Sequence, residues 1–190
     1  MLPSQVLPQY LPIRADHHIF TKAYRMAATQ QITDAIIQKS IFQAVRNVSQ
    51  TMLSRDITLV SQGHEPTAGA TYEIIDTVGF AGDINGSVYL CLSEKFAIHA
   101  IGLMLGMTQR EVELGGPDVV KDAIGELTNM TVGAFKNQLC DIGFPCMLTL
   151  PSIMRGTQLA IAANKSTICH VFEFKCDGHT LVADIRLKAD

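Results

Sequence analysis

The sequence contains no tryptophan, and aromatic residues make up only 6% of it, which leaves few surfaces on which nucleic-acid bases could stack. Charged residues are also scarce at 17%, and the net charge of −3 provides no basic patch for a phosphate backbone. No run of apolar residues approaches the roughly 18 that a transmembrane helix requires. These absences argue against nucleic-acid binding and against membrane insertion.

The N-terminus lacks the basic and apolar segments of a secretory signal, and the five cysteines include no Cys-x-x-Cys pair. We therefore expect a cytoplasmic protein with reduced thiols. Residues 1–30 hold three of the seven prolines and are predicted to be an N-terminal extension, followed by one domain over residues 31–190. The adjacent His17 and His18 diverge on any regular element, so no metal site is assigned there.

The first half of the domain predicts two helices and a hairpin. Apolar residues recur at helical spacing over residues 33–54, with Thr33 as the N-cap. Residues 72–78 and 87–92 alternate as strands around a glycine-containing turn. A second helix begins after the cap Ser93 and closes at Gly106.

The second half begins with a long predicted helix over residues 117–142. Pro117 at its first position and Gly143 after its end mark the two boundaries. Residues 147–154 form a short strand interrupted by Pro151. We expect a three-stranded meander over residues 158–163, 167–176 and 180–187, with turns at Asn164–Lys165 and Asp177–Gly178.

The two halves share one order of elements, a long helix followed by a strand region and a hairpin, over residues 33–92 and again over 117–187. This order indicates an internal duplication. The predicted fold class is α+β, with a largely antiparallel sheet covered on one face by the two long helices. An edge of that sheet is a candidate dimer contact.

The helix over residues 117–142 has one apolar and one polar face. The apolar face comprises Val120, Ile124, Leu127, Thr131, Phe135, Leu139 and Ile142. The opposite face comprises Asp122, Glu126, Asn129, Gly133, Lys136 and Asn137. A polar face alone is typical of a solvated helix, but Gly125 and Gly133 each cost about 1 kcal/mol in a helix interior. Close packing within the monomer or close approach by a partner would explain these glycines.

Residues 122–133, with the sequence DAIGELTNMTVG, resemble the signature helix of the CheX/CheC/FliY family. Its members are phosphatases of phosphorylated CheY-type response regulators, with the motif Asp/Ser-x-x-x-Glu-x-x-Asn. The resemblance covers roughly residues 33–187 and implies a CheC-like, pseudo-duplicated fold. It includes three further segments, AVRNVSQTML at 44–53, GSVYLCL at 86–92 and LTLPSIM at 148–154.

The first helix carries Gln38 and Ile41 where a second Glu-x-x-Asn pair would stand. The chain is therefore similar to the CheX-like members, which carry one pair and form dimers that share a sheet. The resemblance implies one active face and a homodimer.

The resemblance also implies the roles of the site residues. Asn129 would hold the water that attacks the aspartyl phosphate, since a carboxamide both donates and accepts hydrogen bonds. Glu126 would pair with the active-site lysine of the receiver domain. The interface would include Asp122, Gly133, Lys136 and Asn137. The Mg²⁺ that stabilises the transferring phosphoryl group would belong to the receiver, so no cofactor or metal is expected in this chain.

Two other functions are compatible with the sequence. The chain could be a binding module that sequesters a phosphorylated response regulator without turnover. Alternatively, Cys169, His170, Cys176 and His179 could form a hydrolytic metal site. This set lacks a regular ligand spacing, and adjacent residues of a strand face opposite sides of the sheet.

Overall fold

The structure, a computed structural model, describes residues 32–65, 69–162 and 166–188. The predicted extension, the His17–His18 pair and the turn at Asn164–Lys165 lie outside these ranges. The division into extension and domain therefore stays a prediction. In chain order, the helices and strands of the described residues are α1 (Asp34–Val48), β1 (Thr58–Gly63), β2 (Tyr72–Gly82), β3 (Gly86–Leu92), α2 (Glu94–Leu105), α3 (Gln109–Asp141), β4 (Cys146–Leu148), β5 (Ser152–Leu159), β6 (Thr167–Cys176) and β7 (His179–Lys188).

The first long helix is confirmed, together with its predicted cap. The Thr33 hydroxyl accepts a hydrogen bond from the Ile36 amide at 3.4 Å, which satisfies one of the free donors of the first turn. After α1 the chain continues as a π-helical turn over Ser49–Leu53 and ends at Ser54, which has a φ of 54°. Helix and turn together therefore cover the range predicted from the apolar spacing.

The predicted boundaries of α2 are also confirmed, because both depend on local chemistry. The Ser93 hydroxyl accepts from the Phe96 amide at 3.1 Å. At the other end Gly106 has a φ of 66°, a left-handed conformation that glycine adopts at little cost.

Helix α3 begins earlier than predicted and consists of two segments. Thr108 and Glu111 form a capping box ahead of residues 109–115. The helix is then interrupted at Gly116, whose φ of 74° and ψ of −166° are not helical. Pro117, the predicted first residue of the helix, starts only its second segment. The signals at Gly116 and Pro117 in the sequence therefore mark the kink and not the beginning of the helix.

All seven strands lie in one antiparallel sheet in the order β1-β6-β7-β3-β2-β4, with β5 also paired to β2. The last strand of each predicted half, β3 and β7, pair at the centre. The first strand region of each half pairs with the hairpin of the other, β1 with β6, and β4 and β5 with β2. The topology is thus consistent with a duplication in which the two halves exchange their first strands.

The predicted three-stranded meander is wrong in its first strand. β5 ends at Leu159 and pairs with β2, whereas residues 160–162 are not in a strand. Only the β6–β7 hairpin of the meander is present, with a turn at Asp177–Gly178 in which both residues have positive φ. The strand predicted at 147–154 is divided around Pro151 into β4 and β5, which both pair with β2.

The three helices pack on one face of the sheet and enclose a continuous apolar core. The largest fully buried side chains in this core are those of Phe96, Phe135 and Phe174, each at most 1% exposed. The other face carries a smaller apolar cluster around Ile75 and Cys91. Within the described ranges, no helix is both long enough and apolar enough to cross a membrane.

Candidate functional site

The second segment of α3 is held by the apolar face predicted for it. The buried residues of this face are Val120, Ile124, Leu127, Thr131, Phe135 and Leu139. Ile142 is an exception at 42% exposure, because the helix ends at Asp141 and the chain turns at Gly143, whose φ is 97°. The opposite face is thereby oriented outward on a helix that is fixed to the core.

Two buried threonines complete the anchored face. The Thr128 hydroxyl donates to the carbonyl of Ile124 at 2.9 Å, and the Thr131 hydroxyl donates to that of Leu127 at 2.8 Å. Each hydroxyl is thus satisfied within the helix, as a buried polar group requires.

Glu126 and Asn129 lie one turn apart on the outward face, and both side chains are exposed. Neither side chain forms a hydrogen bond or an ion pair with another described residue. A carboxylate and a carboxamide are therefore presented together, with their donors and acceptors available to an incoming molecule.

The structure removes one of the two explanations for Gly125 and Gly133. A Cβ atom added at either glycine would meet no atom within 4 Å outside the local helix backbone. Packing inside the described monomer therefore does not require a glycine at these positions. Gly133 lies between Glu126 and Asn129 in projection, about 20° from the first and about 40° from the second at 100° per residue.

A groove beside Glu126 contains residues that the sequence did not identify. It has a volume of about 570 Å³, and its lining includes Asp122 and Glu126 of α3 together with Met52, Met104 and Leu105. Leu105 is 53% exposed. These apolar residues come from the turn after α1 and from the end of α2, so only the tertiary structure places them next to the polar pair.

Lys136 and Asn137 lie farther along the same helix and contact each other. The Lys136 ammonium donates to the Asn137 side-chain oxygen at 3.4 Å. Ten residues separate Lys136 from Glu126, which corresponds to about 15 Å along the axis. Neither residue lines the groove, and their contact with a partner stays a prediction.

Helix α1 has no second Glu-x-x-Asn pair, since Gln38 and Ile41 occupy the corresponding positions. Ile41 is completely buried in the core, and Gln38 is half-buried. The helix therefore has no exposed carboxamide at the position of Ile41.

The metal site suggested from Cys169, His170, Cys176 and His179 does not form. Cys169 contacts Asp184 at 3.4 Å, whereas the His170 ring lies near Asp34 on the other face of the sheet, 3.9 Å from its carboxylate. Cys176 is buried, and the His179 ring stacks on those of Phe96 and His99. The four side chains do not converge on one point.

Comparisons with known proteins agree with the family resemblance of the sequence. Residues 74–175 match the family model described as chemotaxis phosphatase CheX. The CheY-P phosphatase CheX of Thermotoga maritima is 29% identical over 91 residues, which cover 47% of this chain and 56% of that protein. The chain therefore spans little more than half the length of this relative.

Solved structures of CheC-like and CheX proteins share the fold. A CheC-like superfamily protein from Shewanella sp. PV-4 superposes with a TM-score of 0.73 at 22% identity, covering 83% of this chain and 100% of that chain. The CheX chain in the CheX–CheY–BeF3–Mg²⁺ complex from Borrelia burgdorferi gives a TM-score of 0.65 at 20% identity. That match covers 80% of this chain and 97% of the other. These similarities confirm the predicted α+β, CheC-like fold.

Proposed function

The chain belongs to the CheX family of chemotaxis phosphatases, and on that premise we propose that it hydrolyses the aspartyl phosphate of a CheY-type response regulator. The observation that carries the proposal is the exposed Glu126–Asn129 pair on the outward face of α3, a helix whose opposite face is buried in the core. The relative named CheY-P phosphatase supports the activity, and the structure of CheX bound to CheY supports the class of partner.

Asn129 positions the attacking water in this mechanism. An aspartyl phosphate is an acyl phosphate and is already reactive, so hydrolysis requires a water held in line with the phosphorus–oxygen bond that breaks. The Asn129 carboxamide can accept one hydrogen bond from this water and donate another. Phosphate leaves with the oxygen of the water, and the receiver aspartate is regenerated as a carboxylate.

Glu126 acts as the docking residue. Its carboxylate forms an ion pair with the active-site lysine of the receiver, which brings Asn129 of the next turn to the phosphoryl group. The apolar side chains of Met52, Met104 and Leu105 offer a surface beside this ion pair for an apolar part of the receiver. Methionines suit this role because their flexible side chains adapt to a partner.

The Mg²⁺ of the reaction is supplied by the receiver. It neutralises the charge of the transferring phosphoryl group there, and this chain contributes the water-positioning and docking residues. Asp122 and Gly133 contact the receiver next to the ion pair, and Lys136 and Asn137 extend the interface along α3.

The test measures phosphate release from a phosphorylated CheY-type receiver with Mg²⁺, with and without the purified full chain. Asn129→Ala should lower kcat by about 100-fold or more, since misplacement of a reacting group costs that much.

Glu126→Ala should mainly raise KM, because it removes binding energy made before the transition state. Gln43→Ala, which removes an exposed carboxamide of α1, serves as the matched control.

Full activity of Asn129→Ala would contradict the assigned role of this residue. Stable binding of the phosphorylated receiver without faster dephosphorylation would support the alternative of a sequestering module. Because the binding measurement uses the same receiver, the two functions are distinguished in one set of samples.

A further inference from the structure

Three metal-ligating side chains meet at the end of α1 that is remote from the catalytic pair. Asp34 is the first residue of α1, His64 follows β1, and His170 lies on β6. Their ligand atoms all lie within 4.8 Å of one another. They are separated by 30 and 106 residues in the sequence, so no motif spacing reveals the cluster.

The distances in the cluster are close to those of a coordination sphere. His64 Nε2 is 3.3 Å from Asp34 Oδ2, and His170 Nδ1 is 3.9 Å from Asp34 Oδ1. Ligand atoms about 2.0–2.1 Å from a tetrahedral Zn²⁺ are roughly 3.3 Å apart. One pair already has this separation. The other two pairs, at 3.9 Å and within 4.8 Å, reach it by rotation of the exposed Asp34 and His64 side chains.

The backbone fixes which nitrogen of His64 faces the cluster. His64 Nδ1 is 3.2 Å from the carbonyl oxygen of Cys169, and a carbonyl can only accept, so Nδ1 carries the proton. Nε2, which is 3.3 Å from the Asp34 carboxylate, is then the ring nitrogen that remains to bind a cation. A hydrogen bond from the second ring nitrogen to a backbone carbonyl is the usual outer-sphere arrangement of a metal-bound histidine.

His170 adds a rigid ligand to two adaptable ones. Its side chain is 5% exposed, whereas those of His64 and Asp34 are 62% and 72% exposed. The buried ring is thus held in place by the fold, and the cluster opens to solvent on the side of the other two residues. An open side leaves room for a water molecule as the fourth ligand.

From this geometry we propose that Asp34, His64 and His170 bind one divalent transition-metal cation of the class that prefers imidazole and carboxylate ligands, such as Zn²⁺. The cation joins the start of α1, the segment after β1 and strand β6. It stabilises the folded chain because the three ligands come together only in that state.

The cation has no part in the proposed phosphatase reaction. Gln138 of α3 donates to the carbonyl of Ser40 near the start of α1, while Met52, after the end of α1, lines the groove with Glu126. The two helices are therefore antiparallel, and Asp34 lies about 27 Å along the helix axis from Met52. Loss of either function leaves the other measurable.

The experiment uses the full chain with any affinity tag removed, stripped by a chelator and titrated with Zn²⁺ or Co²⁺ alone. We expect one ion per chain by calorimetry and elemental analysis. We also expect a visible Co²⁺ spectrum of a tetrahedral site without a thiolate charge-transfer band, and a higher Tm with Zn²⁺. No saturable binding, or a thiolate band, would overturn the proposal.

Asp34→Asn and His64→Gln change exposed side chains and should therefore fold. Each should weaken binding by more than about 100-fold, since loss of a ligand exceeds the 10–100-fold loss seen for an outer-sphere partner. His170→Gln should do the same where it folds. His99→Gln is the matched control, because His99 also contacts a carboxylate, Asp177 at 3.0 Å, and should retain full affinity. Wild-type affinity in both Asp34→Asn and His64→Gln would overturn the assignment.

Discussion

Asp76 is a buried carboxylic acid beneath the helix that carries the candidate site. It is 0% exposed, and neither of its oxygens has a hydrogen-bond partner of good geometry among the described residues. The nearby Thr128 hydroxyl is engaged with the carbonyl of Ile124. Burial raises the pKa of Asp76, and the proximity of Thr128 and of the Thr77 amide offsets this only in part. The charged form of Asp76 therefore destabilises the folded protein.

Asp76→Asn should raise the free energy of unfolding at neutral pH by on the order of 1 kcal/mol, because the amide has the same shape and no charge to desolvate. The folded pKa of Asp76 lies above the ordinary value of 3.8, so the folded state binds this proton more tightly than the unfolded state. The contribution of Asp76 to stability thus falls as pH rises from 3.8 through the folded pKa. Asp76→Asn has no carboxyl group to ionise at this position, so it does not lose this stability as the pH rises.

The measurement is urea unfolding of both proteins from roughly pH 4 to pH 8. The difference in stability should grow with pH and then become constant above the folded pKa of Asp76. Asp83→Asn removes an exposed carboxylate of the β2–β3 turn and controls for the change in net charge. A difference that is independent of pH would contradict the assignment of the effect to Asp76.

Residue-scale properties of the site were only partly predictable from the sequence. The exposure of Glu126 and Asn129 and the burial of Ile124 and Phe135 follow from helical periodicity, which is a local property. The burial of Asp76 does not, because a carboxylate is ordinarily expected at the surface, although Asp76 shares a face of β2 with the core residues Ile74 and Val78. The ligands Asp34, His64 and His170 were also missed, since they come from three elements.

At the scale of the element, Gly125 and Gly133 decrease the stability of α3 without a packing reason among the described residues. An alanine at either position has the space it requires and a better helix propensity. Gly133 lies between the directions of Glu126 and Asn129, where the backbone of a docked receiver would come closest. A partner that occupies this space would explain why residue 133 is a glycine.

Gly133→Ala should therefore raise the free energy of unfolding by up to about 1 kcal/mol and lower kcat/KM with the phosphorylated receiver by about 10-fold. Gly125→Ala is the comparison, because it offers the same gain in helix stability but points farther from Glu126. Thermal unfolding and phosphate release on the same samples measure both effects. Unchanged kcat/KM in Gly133→Ala would show that the receiver does not approach the helix at this residue.

Element boundaries were predictable where a cap or a turn defines them, as at Thr33, Ser93, Gly106 and Gly143. The signals at Gly116 and Pro117 were real but marked a kink, because a second cap at Thr108 starts the helix one segment earlier. The pairing of β5 with β2 was not predictable from the sequence. A strand that directly precedes β6 in the chain is expected to pair with β6, and only the tertiary structure shows that the two halves exchange strands.

The whole molecule exposes unequal edges of its sheet. At the β4–β5 edge, Met147 is 78% exposed, Leu150 is 88% exposed and Met154 is 45% exposed. At the other edge, β1 exposes one large apolar residue, Val60, at 54%. Apolar side chains grouped beside a strand edge favour association with another chain.

We propose that a second copy of the chain binds at the β4–β5 edge to form the expected homodimer. Leu150→Asp should then convert the dimer to a monomer, because it places a charge in the apolar contact. Light scattering coupled to size exclusion measures the mass, and Val60→Asp is the matched control at the opposite edge. A monomeric mass for the wild-type chain would contradict the homodimer. If only Val60→Asp dissociates the dimer, the contact lies at the β1 edge and not at the β4–β5 edge. Either outcome leaves the outward face of α3 available to the proposed receiver partner, because neither edge includes Glu126 or Asn129.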